Sequence, residues 1–221
     1  YNFPELTNAT EVRDLVNRLC MSTATIAMDK NGNPYSPRKQ GAGIADIAKA
    51  TSTNAFLFVD GTDKTKMELG DDPKRSGVYE MTLKLKNLSD SPVSYKIGNY
   101  VMTESLSADK KYVAEKAYML DAGAEYSVKN GSLSGGVVTV NGKETAEITV
   151  KITLSGADKA YLNASFANGM YVEGFVTFDN TDANGVDLNA PFLAFYGDWS
   201  DAPIFDKDFY LVETEAHNNA I

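Results

Sequence analysis

The chain has 221 residues, 43% of them apolar and 23% charged, with 30 acidic against 21 basic side chains and a net charge of −9. That length buries a sizeable core in one large or two small domains, and the balance of side chains argues against disorder and membrane insertion. The acidic excess repels phosphate backbones and anionic lipid, so neither nucleic acid nor a membrane surface is an expected partner.

No run approaches the roughly 18 apolar residues of a membrane-spanning helix, and no charged n-region with an apolar h-region opens the sequence. The chain starts at Tyr1 rather than Met and reads as a piece of a longer polypeptide. Cys20 is the only cysteine and His217 the only histidine, which rules out an internal disulfide and a His/Cys zinc site. Ser-His-Asp catalysis would have to use His217, in a polar tail, and a self-contained hydrolase is not expected.

In chain order, residues 8–21 have the pattern of an amphipathic helix. Val12, Leu15, Val16, Leu19 and Cys20 form one stripe, and Glu11, Arg13, Asp14, Asn17 and Arg18 the opposite face. Asn8 followed by Glu11 resembles a capping box. Cys20 lies on the stripe and reads as a small buried hydrophobe rather than a reactive thiol. A polar loop follows over 29–40. After it, Gly41 and Gly43 mark backbone passing close to other structure, and Ile44, Ile47 and Ala48 suggest a short helix.

Near residue 52 the apolar period changes from 3.6 to 2, and a domain boundary is expected there, with 1–52 a helical unit and 53–221 a β domain. Strands are expected over 54–59, 79–86, 95–102 and 112–120, and most clearly over 146–154, where Ala146, Ile148, Val150, Ile152 and Leu154 alternate with polar residues. A short helical connection over 158–168 should stop at Gly169. Two aromatic-rich strands then flank the polar connector 179–189, with Val172, Val176 and Phe178 facing the core and Gly174 permitting close contact with a neighbour. The run 191–196 is apolar at every position, so one of its faces should cover a second surface. About seven strands with frequent turn signals point to an antiparallel β-sandwich preceded by a short α-helical segment.

Candidate chemistry is thin. Asp29, Asn31 and Asn33 have the alternate oxygen spacing that opens many calcium loops, but Pro34 and Gln40 break the pattern; Asp179, Asp182, Asn184, Asp187 and Asn189 are irregularly spaced. Both read as turns, and no cofactor or metal is expected, calcium being the one ion considered. Glu173 and Asp198 are conceivable as a paired-carboxylate site, but Glu173 reads better as a surface or interdomain hydrogen-bond partner. Phe195, Tyr196 and Trp199 are either a sugar-stacking platform or an interface, and the interface is the favoured reading.

The runs VRDLVNRLCMSTA and YSPRKQGAG, between Val12 and Gly43, resemble the end of the catalytic domain of subtilisin-like (S8) serine proteinases. The likeness is to the cell-envelope subtilases of Gram-positive bacteria, the lactocepin and C5a peptidase group. The runs YVEGFVTF and APFLAFYGDW, between Tyr171 and Trp199, resemble paired motifs of the fibronectin-III-like domain that follows the protease domain in that group.

The resemblance implies a fibronectin-III-like sandwich, a bacterial extracellular or cell-wall-associated parent, and a role in supporting the protease domain and positioning protein substrate. The family's catalytic Asp, His, oxyanion-hole Asn and G-T-S-M-A-like nucleophile all precede the helix at 8–21, so no catalytic residue carries over and the fragment alone is expected to be inactive. Leu15, Val16 and Leu19 would face the missing catalytic domain; Glu173, Phe195, Tyr196 and Trp199 complete the expected interdomain surface. Without that domain the fragment is expected to self-associate or to leave its first 50 residues poorly ordered. The alternative is a free-standing adhesive or carbohydrate-binding sandwich using 196–199.

Overall fold

The computed structural model describes residue 6 and residues 8–201, and it is mainly β. The first helix, α1 (Ala9–Ser22), starts where the Asn8 side chain accepts a hydrogen bond from the Glu11 amide. The polar loop contains one short turn of helix, α2 (Pro37–Gln40), capped by the Ser36 hydroxyl, and α3 (Ile47–Ser52) is capped by Asp46. Gly43 has φ 122°, and a Cβ on it would lie 2.4 Å from the Thr25 carbonyl oxygen, which explains the close backbone passage where Thr25 and Ile44 pair.

The remaining described chain forms a two-layer sandwich. One sheet has four strands in the order β1 (Ala55–Phe58), β3 (Val78–Asn87), β9 (Thr145–Thr153), β6 (Gly123–Lys129), all antiparallel. The other has seven: β2 (Met67–Asp71), β11 (Leu188–Tyr196), β10 (Met170–Asn180), β4 (Val93–Leu106), β8 (Val137–Val140) and β7 (Ser132–Ser134) in order, with β5 (Val113–Met119) pairing the far end of β4. Within it β2 runs parallel to β11. Most of the chain separates those two strands, so no hairpin dictates their direction.

Alternate side chains of both sheets fill the space between them. Leu83, Leu85, Ile148, Val150 and Ile152 from the smaller sheet meet Tyr95, Val172, Val176, Phe178 and Phe192 from the larger. Val172, Val176 and Phe178 are fully buried there, as their alternation requires. Gly174 shares their face. A Cβ at that position would fall 1.8 Å from the Tyr100 carbonyl oxygen on β4, so Gly174→Ala must push β4 and β10 apart. We expect it to cost about 1–3 kcal/mol or more, read as a lower urea midpoint.

Helix α4 (Gly156–Ser165) begins earlier than its sequence pattern suggests, because Ser155 and Asp158 form a reciprocal capping box. The chain then turns at Gly169, φ 86°, into β10. Eleven strands are present among the described residues, against about seven expected.

Candidate interaction surface

The outer face of β10 and β11, away from the sandwich core, is covered. On it stand Glu173, 1% exposed, and Phe175, fully buried, with Asn189 and Pro191 beside them on β11. The cover is the N-terminal segment. α1 packs against β1 and β11, and α2 against β10 and β11. The Asn189 side-chain amide donates to the Ala24 carbonyl at 2.7 Å, and the Gln40 amide braces the loop by accepting from Ala27 N at 2.7 Å and donating to the Tyr35 carbonyl.

At the centre of the contact is Arg38. Its Nε donates to Glu173 Oε2 at 3.0 Å and its Nη2 to Glu173 Oε1 at 2.9 Å, a two-point grip on one carboxylate. The Ser36 hydroxyl adds a third bond to Glu173 Oε1 at 2.8 Å. Arg38 Nη2 also donates to Glu104 Oε1 on β4, and the guanidinium lies 4.2 Å from the centre of the Tyr171 ring. Burial alone lowers the Arg38 pKa, but the hydrogen bonds and charges of Glu173 and Glu104 outweigh it and hold the pKa above its ordinary value. The group is a fixed cation between two buried carboxylates.

Beside this cluster three aromatic rings come together. Trp199 sits 5.0 Å from Phe195, nearly perpendicular to it, and 5.4 Å from Tyr171 at 43°. Its backbone amide is held by Asp71 Oδ2 at 2.9 Å. Asp198 accepts from the Ser200 hydroxyl and then the Ser200 amide, and these bonds lower its pKa. Trp199 remains 59% exposed, on the wall of a groove of about 670 Å³ whose lining includes Arg38, Glu104, Asn168, Tyr171 and Ser200.

The sequence-predicted residues therefore separate. Glu173 lies under the N-terminal segment; Phe195 and Trp199 line the groove. Tyr196, expected with them, points the other way: it is 1% exposed and belongs to the inter-sheet core, because alternation along β11 places it with Phe192 and Ala194. Leu15 and Leu19 are half-buried, while Val16 is 49% exposed, as is Val12 at 47%. Ile44 and Ile47 are exposed at 64% and 66%. α1 packs against α3, which Ile47 opens, while Ile44 lies just before it in the bridge to Thr25.

The carboxylates considered for other chemistry have local work. Asp29 Oδ1 accepts from the Asn33 and Asn31 amides, which lower its pKa. Asp187 accepts from Asn180 N, and Asp182 from Asn184 N. Glu173 and Asp198 serve different partners. No group of three or more His, Cys, Asp or Glu is placed to hold a metal among the described residues. His217 lies outside them.

The sequence reading does not place Ser36, Arg38 or Glu104 at this surface, and it takes Asn189 for a turn residue. Their one sequence signal is polarity out of place: Glu104 lies near the end of a long strand and Glu173 interrupts an apolar one. Two such acids need a cation, and the Ser-Pro-Arg run supplies it.

A two-layer sandwich with a segment fastened across one outer face defines a β-sandwich module. The chain belongs to the Fn3-like domain family, whose model matches residues 67–193. It is similar to a C5a peptidase of Streptococcus pyogenes serotype M3, 27% identical over 209 residues, and to a PII-type proteinase of Lactococcus lactis subsp. cremoris, 29% identical over 215 residues.

Each likeness covers 94% of this chain, a span that takes in the N-terminal segment with the sandwich, and 16% and 10% of the two relatives. The chain thus spans less than a fifth of the length of these curated relatives. Among solved structures, the ASH / PapD-like domain 7 of human CEP192 aligns with a TM-score of 0.36 and 9% identity, over 65% of this chain and 84% of that one. No helix among the described residues is long and apolar enough to cross a membrane.

Proposed function

We infer that the chain is a non-catalytic part of a secreted subtilisin-like serine endopeptidase of a Gram-positive bacterial envelope. Residues 1–52 are the last helices of the catalytic domain, residues 53–221 the Fn3-like domain that follows, and their work is to support the protease domain and position its protein substrate.

The observation that carries this reading is the two-sidedness of residues 9–52. One side is fastened to the sandwich through Ser36, Arg38 and Asn189. The other leaves Val12, Val16, Ile44 and Ile47 in water, each between 47% and 66% exposed. Four large apolar side chains left exposed on one short segment are what a docking face would leave, and relatives named as a peptidase and a proteinase match across both parts. The occupant of the face is then the catalytic domain of the same polypeptide.

Two results test this. The chain alone should not hydrolyse casein, and in the longer polypeptide Val16→Asp should lower kcat/KM for a protein substrate together with Tm, because the docking face then carries a charge. Full peptidase activity in the isolated chain, or an unaffected Val16→Asp parent, would contradict the reading. Without its neighbour the face should pair with itself. We expect light scattering to give about twice the monomer mass at high concentration, and the Val12→Asp/Val16→Asp variant to return to monomer.

A further inference from the structure

The groove under Trp199 has a chemistry that the support role leaves unused, and we propose that it binds an uncharged saccharide ring. Glu104 is 7% exposed, yet it lines the groove. Its Oε1 takes the bond from Arg38, and no hydrogen bond falls on its Oε2 among the described residues. Arg38 Nη1 is likewise without a protein acceptor among them, while Nε and Nη2 are engaged. An acceptor oxygen and a planar donor therefore both belong to the lining, with the amide of Asn168 and the hydroxyl of Ser200 also there.

The same lining holds the Trp199 indole, nearly perpendicular to Phe195, tilted against Tyr171, and 59% exposed. A ring with an apolar C–H face and a hydroxyl edge matches both parts. The face stacks on the indole, one hydroxyl donates to Glu104 Oε2, and its neighbour accepts from Arg38 Nη1.

Charge and desolvation disfavour the other occupants. A cation entering the groove meets Arg38 and an anion meets Glu104, since one charge of each sign lines it. A purely apolar side chain would strip water from Glu104 Oε2 and replace it with nothing. The volume, about 670 Å³, falls within the range of small-molecule sites.

Trp199 is the only tryptophan in the chain, so its emission reports on the groove directly. The chain is titrated in separate arms with chitotetraose and with maltotetraose, which distinguish an N-acetylated wall-type glycan from a plain hexose chain, and with tetralysine. The expected result is a saturable emission change with at least one saccharide and none with tetralysine.

Calorimetry should then show binding lost in Trp199→Ala, an exposed position where folding is not at stake. Glu104→Gln, checked for folding by urea titration, should bind roughly tenfold more weakly. No saturable response to either sugar at about 10 mM, a response to tetralysine alone, or undiminished binding by Trp199→Ala overturns the proposal.

Discussion

Replacing Arg38 with methionine is expected to lower unfolding stability by about 3–5 kcal/mol, because it strands Glu173 and Glu104 with their charges and no cation between them. For a chain of this size that corresponds to a melting temperature lower by roughly 10 °C. The mechanism makes a second demand. Adding Glu173→Met should recover most of the loss, since an apolar pair of similar size leaves no stranded charge at the deepest position, Glu173 being 1% exposed and Glu104, beside the groove, able to hydrate. A urea titration of the wild type, both single variants and the double variant reads the coupling. Equal losses in the single and double variants would mean that the stability came from packing of the arginine stem rather than from its charge.

The second large effect concerns Phe175. It is fully buried on the face of β10 that looks away from the sandwich core. If the N-terminal segment covers that face, Phe175→Ala leaves a cavity and costs about 3–5 kcal/mol, as much as a core truncation. If the segment did not pack there, the ring would lie in water and the same substitution would fall within about 0.5 kcal/mol of the wild type. Because the cavity lies beneath the segment, the variant should also release α1 and α2 to faster amide exchange while β3 and β9, on the other sheet, keep their protection.

Much of the fold is written in local pattern. β3 and β9 alternate cleanly because one face is core and the other water, and α1 carries its cap in sequence, though Val12 and Val16 of its apolar stripe stay exposed. Strand β6 escaped notice because none of its residues is fully buried, so its period-2 signal is weak, and β7 is only three residues long. β2 is short and breaks register against β11, which leaves no readable alternation.

The outer surface of β11 was legible as a need rather than an answer. A run apolar at every position must bury both faces, but such a run hides its own parity, so its pattern does not separate Tyr196 from Phe195. The covering residues lie more than 130 positions earlier than Glu173, and no local pattern connects Ser36 and Arg38 to that strand. The groove is likewise tertiary: its rings come from β10, β11 and the turn after them, and its acid from β4.

In the proposed function, residues 9–52 face the sandwich with one side and another domain with the other. Amide hydrogen exchange of α1, measured in this chain and in the longer polypeptide proposed to contain it, tests that directly. The amides of Val12 to Val16 should gain at least about tenfold protection in the longer polypeptide, as a docked face requires, while Thr25 and Ile44, already paired to each other, change little. An α1 that exchanges as fast in the longer polypeptide as in the chain alone would contradict it.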